Sequence, residues 1–308
     1  MNQYRASRVE QVLAALGKSV CYLSLFLGMQ VAVMIPVMVA VAAEELRGGS
    51  VMDEDALTAM MNADAMTLTL ISGLLTIVVV LAIYLIRRKK LSEALMLRPV
   101  PVPTLLTAAS LVPALYLLVT IFLMLLPQEW SQSYIEASAG IDSGSLIGII
   151  SVAVVAPIVE EFIFRGLIMN RLSRVMPGWL AVVLSAAVFG VCHGHPVWFA
   201  YAFALGAFFG FIDLRTGSIW PSILGHVAFN AIGQIVTFVP ETEEGTELLI
   251  VLGTLLVVGI AAPLFNRRAV GALFHPAPQP QFTPMSLPGQ ELELPTQPGT
   301  YEFDPWDE

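Results

Sequence analysis

The chain has 308 residues, of which 56% are hydrophobic and only 13% charged, with a mean hydropathy of +0.77. Soluble domains carry about 25% charged residues, so this composition excludes an ordinary soluble enzyme and a disordered protein. The net charge of −9 argues against nucleic acid as a partner, because a phosphate backbone needs basic contacts.

A membrane-crossing helix needs about 20 mostly apolar residues. In chain order, apolar runs near 19–43, 65–86, 102–126, 144–169, 178–194, 196–212, 217–239 and 246–265 predict about eight spans. The fold class expected is therefore an all-α polytopic membrane protein. The fifth and sixth runs are short and meet at the polar knot His193-Gly194-His195-Pro196. A re-entrant or tilted pair is an open alternative there. The first run resembles a signal peptide, since Val41-Ala42-Ala43 looks like a cleavage site. It exceeds the usual apolar stretch of about 7–15 residues and reads as a retained span.

Charge orients the bundle. Arg5, Arg8, Arg87, Arg88, Lys89, Lys90, Arg98, Arg171, Arg174, Arg215, Arg267 and Arg268 all fall on one side of eight spans. The opposite loops hold acidic residues and a single basic one, Arg47. The positive-inside rule then puts both termini in the cytoplasm, as would suit a bacterial inner membrane. Cys21 and Cys192 lie in apolar runs with no CxxC pair, which fits two small buried hydrophobes and not a disulfide framework. Beyond about residue 275 the chain is rich in Pro and Gln and carries acids without Lys or Arg, a composition that cannot build a core. The division expected is three N-terminal spans over 1–143, a core over 144–268, and a disordered acidic tail over 269–308 that is a candidate docking segment for a cytoplasmic partner.

Ionisable groups inside a membrane are costly and are normally kept for function. They concentrate in the fourth, fifth and seventh spans: Glu160, Glu161, Arg165, His193 and His226, with Asn230 beside them. Glu161 and Arg165 are four apart and share a helix face, so they can pair, and the Arg fork would fix the carboxylate. Glu160 lies about 100° around the helix with no partner in its own helix, which suits a general base. Pro157 removes a helical donor just upstream. Phe189 and His193 share a face one turn apart, and Ser222, His226, Asn230 and Gly233 form one stripe. His226 and Asn230 together offer donors to one point, as a developing oxyanion requires.

The strings Glu-Glu-x-x-x-Arg at 160–165, Phe-x-x-x-His at 189–193 and His-x-x-x-Asn at 226–230, with the run Arg215-Thr216-Gly217-Ser218-Ile219-Trp220 leading toward His226, resemble the CAAX protease and bacteriocin-processing (CPBP, or Abi) family of intramembrane proteases. The likeness covers about 144–239. It implies an eight-helix CAAX-protease-like bundle with a cavity open to the cytoplasm, and hydrolysis of a peptide bond in a membrane-embedded or prenylated protein or peptide. Carried onto this chain, it implies that Glu160 and His193 activate water, that His226 and Asn230 stabilise the oxyanion, and that Glu161 with Arg165 orients the site.

Three readings stay open on residues alone. No His-Glu-x-x-His string occurs, so a metal-free site with no cofactor is expected, but zinc held by Glu160, His193 and His226 is an acceptable ligand set. A proton-coupled transporter would also use buried Glu and His, although no paired repeat is visible. A non-catalytic scaffold could hold a partner helix on the small face of Ala202, Gly206 and Gly210.

Overall fold

A computed structural model of the chain describes residues 7–46, 54–138 and 145–237, with scattered positions between 251 and 271. The predicted tail over 269–308 lies outside the described residues except at 270 and 271, which are helical and not disordered as expected. Of the eighth predicted span only scattered positions are described, and these are helical.

All regular structure among the described residues is helical. The first helix, α1 (Arg8–Leu46), opens on a capping box: the Ser7 backbone N–H donates to Glu10 at 2.7 Å and the Glu10 N–H donates back to Ser7 Oγ at 3.3 Å. Two otherwise orphaned donors are thereby satisfied. It runs beside α2 (Glu54–Ile86), and the two are tied by the Tyr22 and Tyr84 hydroxyls, 3.0 Å apart. A one-turn helix, α3 (Leu91–Ala94), leads into the third predicted span, which is broken in two, α4 (Val102–Ser110) and α5 (Val112–Met124). Pro113 has no N–H to continue the ladder, and the chain tightens at Leu111, whose N–H bonds the Ala108 carbonyl at 3.3 Å.

After the polar helix α6 (Gln128–Ser138) comes the central element, α7 (Leu146–Leu172), capped by Ser145 Oγ. The last three are α8 (Gly178–Val191), α9 (Pro196–Thr216) and α10 (Trp220–Thr237). His195 caps α9 by accepting the Val197 N–H, and Gly217, at φ 66°, ends it in the left-handed conformation that favours glycine.

Five of these stretches are long and apolar enough to cross a membrane: Arg8–Val39, Met66–Ile86, Val102–Met124, Leu146–Leu172 and Pro196–Thr216. The chain is an all-α integral membrane protein. The eight predicted crossings are not carried by length alone, because α8 has 14 residues and rises only about 21 Å. Large apolar side chains such as Val20, Val31, Val39, Val78 and Leu118 face outward, where lipid would cover them.

The core lies along α7, whose Val159, Ile163, Phe164, Leu167 and Met169 are all buried. The α2–α4 connection is clamped onto it. Asn170 Nδ2 donates to the carbonyls of Glu93 and Ala94 at 3.1 and 2.8 Å, and Gly166 lets Leu95 rest directly on the helix. A Cβ at Gly166 would sit 2.6 Å from Leu95 Cδ2 and 3.2 Å from its Cα. Gly166→Ala should therefore cost about 1–3 kcal/mol, read as a lowered unfolding temperature of the detergent-solubilised protein. An unchanged transition would show that Leu95 can move aside.

Candidate active site

The site starts with an irregularity in α7. Ser151–Val155 and Glu161–Met169 are π-helical and flank a single α-helical stretch, Ala156–Glu160. Such widened turns are rare and gather at functional positions. In the first, the Ala156 N–H bonds back five residues to the Ser151 carbonyl. Continued in that register, residue 157 would serve the Val152 carbonyl, but Pro157 has no N–H to give. Asn230 supplies the missing donor: its Nδ2 reaches the Val152 oxygen at 2.8 Å. This bond latches α10 to α7 about two turns before Glu160. A second side chain bonds the other widened segment, where Ser185 Oγ donates to the Phe164 carbonyl at 2.8 Å.

Glu161 and Arg165 pair as their spacing predicts, 3.2 Å apart with side chains 0% and 1% exposed. The same carboxylate oxygen, Oε1, accepts from His226 Nδ1 at 2.8 Å. An ionised carboxylate only accepts, so Nδ1 carries the hydrogen. That fixes the ring and turns Nε2 toward Glu160, whose Oε2 lies 3.7 Å away. His226 thus bridges the two glutamates, and Glu160, unpartnered within its own helix, gains a neighbour from α10. Phe189 organises the surroundings. The Arg165 guanidinium lies over its ring at 4.4 Å, and the rings of His193 and His226 meet it edge-on at 4.7 and 5.8 Å.

His193 follows the end of α8. Its Nδ1 meets the Phe189 carbonyl at 2.8 Å; a carbonyl can only accept, so Nδ1 is the donor there and Nε2 is left free of that contact. Glu160 and His193 line one cavity of about 80 Å³, together with Phe26, Gln30, Phe164, Phe189 and Cys192. That space admits a few waters, each needing roughly 10–15 Å³.

The structure therefore gathers Glu160, Glu161, Arg165, His193 and His226 around Phe189. Asn230 is near but differently employed. The sequence expectation had it aimed with His226 at a common point, whereas one of its amide hydrogens is spent on Val152 and only the other is left to donate. Among the described residues, no three His, Cys, Asp or Glu side chains are grouped as a metal-ligand set. The set Glu160, His193 and His226 is divided: His193 and Glu160 face the cavity, and His226 is committed through Nδ1 to Glu161.

Two polar residues escaped the sequence reading. Asp213 on α9 is fully buried beside Ser222 and lies within electrostatic reach of Glu161 and Arg165. The predicted sixth span ended at 212, one residue short of it, although a lone acid before Arg215 in an apolar helix was a visible signal. Gln30 on α1 lines the cavity but is uncharged, and a survey of ionisable groups passes over it.

Residues 142–232 match the family model described as Type II CAAX prenyl endopeptidase Rce1-like. A curated protein of Bacillus subtilis (strain 168), named "Putative membrane peptidase YdiL", is 29% identical over 113 residues, which is 35% of this chain and 46% of that relative. The chain thus aligns with about half of the relative's length. No solved structure matches it. The matched segment holds every one of the six site residues read from the sequence, and it is over that segment that the chain is similar to the Rce1-like family.

Proposed function

We propose that this protein is an intramembrane endopeptidase that cleaves a membrane-embedded or lipidated protein or peptide. The observation that carries the reading is the small cavity shared by Glu160 and His193 in an otherwise apolar bundle, with His226 3.7 Å from Glu160. In the proposed reaction, Glu160 takes a proton from a water positioned with His193, and the resulting hydroxide attacks the carbonyl carbon of the scissile bond. The tetrahedral oxyanion accepts hydrogen bonds from His226, in its cationic form a donor at both nitrogens, and from the second amide hydrogen of Asn230. The proton held by Glu160 passes to the leaving nitrogen as the C–N bond breaks. The products are a carboxylic acid and an amine. Glu161 and Arg165 hold His226 in register.

The membrane environment favours a substrate that is itself membrane-bound, and the family likeness adds a prenylated C-terminus as one form of it. The basic residues on one side and acidic loops on the other support cytoplasmic termini in a bacterial inner membrane. Water activation by a carboxylate needs no cofactor. A zinc ion would require His226 to release Glu161 before joining Glu160 and His193 as a ligand.

The test compares membranes containing wild type, Glu160→Ala, His193→Ala or His226→Ala, with released peptides identified by mass spectrometry. The expected result is a set of products that all three variants lack at equal expression, and that persists at full yield with 1,10-phenanthroline (about 1 mM). Products unchanged in Glu160→Ala would sink the endopeptidase reading and leave a scaffold or carrier. Products lost with the chelator and restored by zinc would make the hydrolysis metal-dependent.

A further inference from the structure

The cavity is not walled by the matched segment alone. Glu160 and Phe164 of α7 form its floor, and Phe189, Cys192 and His193 of the α8 end form one wall. The other wall is Phe26 and Gln30 of α1, a helix outside residues 142–232. α1 and α8 both lie against α7, and neither packs extensively on the other. The cavity occupies the gap between them. Phe26 is buried and meets Phe164 edge-on at 5.8 Å, which fixes the rotation of α1 about its axis. Gln30 is one turn further along the same face and is thereby brought over the cavity.

A glutamine in a lipid-embedded helix normally finds a hydrogen-bond partner on a neighbouring helix. The Gln30 amide has none among the described residues, and it faces the space that holds Glu160 and His193. An amide has one acceptor and two donor hydrogens but no proton to exchange near neutral pH. It can take no acid–base part. Its complement is another amide: the N–H and C=O of a peptide unit, which every peptide presents whatever its side chains.

Building on the endopeptidase reading, we infer that Gln30 is a substrate-positioning residue, holding an extended peptide segment by its backbone across the cavity from His193. α1 then completes the peptide site. The contact is made equally in bound substrate and transition state, so its loss weakens binding and leaves the chemical step.

The probes are synthetic fluorogenic copies of peptides released by wild-type membranes and not by Glu160→Ala membranes, assayed on the purified full chain. Gln30→Leu keeps the size and suits a lipid-embedded helix. It should raise KM at least tenfold with kcat within threefold of wild type, and Gln30→Asn should recover part of the loss. Probes N-methylated one peptide bond at a time give a readout that a structural role would not move. One methylation should impair wild type far more than Gln30→Leu. A KM within twofold of wild type in Gln30→Leu, or the same methylation profile in both proteins, overturns the inference while the endopeptidase reading stands. If no released peptide depends on Glu160, that reading falls and the inference with it.

Discussion

Glu160→Gln should abolish turnover and leave the fold intact. Glutamine has nearly the same shape and fills the same corner of the cavity, but it cannot accept the water proton. Removing a general base costs about 10²–10⁴ in rate, so kcat on a Glu160-dependent probe should fall by at least about a hundredfold. The structural side is favourable because Glu160 is the less committed of the two glutamates. Its side chain is 21% exposed, and His226 Nε2 stands at 3.7 Å, beyond a hydrogen bond. An unfolding temperature within a few degrees of wild type should accompany the lost activity. On a probe that Glu160→Ala fails to cleave, retained cleavage by Glu160→Gln would mean that the side chain holds the water without taking its proton, and His193, across the same cavity, would be the base to test next.

The polar set was legible in the sequence because membranes make polarity conspicuous. Glu160, Glu161, Arg165, His193 and His226 stood out against apolar spans, and helical spacing alone paired Glu161 with Arg165. Spacing within one helix says nothing about contacts between helices. The His226–Glu161 bond joins residues 65 positions apart. Asn230 shows the same gap. Its partner is the Val152 carbonyl, left without a donor only because α7 is π-wound there and Pro157 falls in the next register. Pro157 was readable as a lost donor, but which carbonyl it orphaned depended on the winding. Span boundaries were the weak point of the fold reading. The bend at Leu111 follows from Pro113, yet Asp213 fell outside its span because hydropathy windows stop at the first charge, whether or not the helix does. Here α9 continues to Thr216.

The largest effect on stability should come from Arg165→Leu. Arg165 is 1% exposed and its partner Glu161 is fully buried, so the substitution leaves a carboxylate in the core without its cation. Breaking a buried pair from one side costs about 3–5 kcal/mol. The loss should appear as a much lower midpoint in denaturant titration of the detergent-solubilised protein, followed by a probe of tertiary structure. Replacing both members by apolar residues is often neutral or better, so Glu161→Leu combined with Arg165→Leu should regain most of that stability. Activity should not return with it. His226 Nδ1 would have lost the acceptor that fixes its ring, and Nε2 would no longer be held toward Glu160. A double variant that is both stable and active would mean that His226 is oriented by something other than Glu161. A double variant that is stable and inactive would separate the two roles of the pair: the charges cost the fold stability, and they are kept because they aim an imidazole at the cavity.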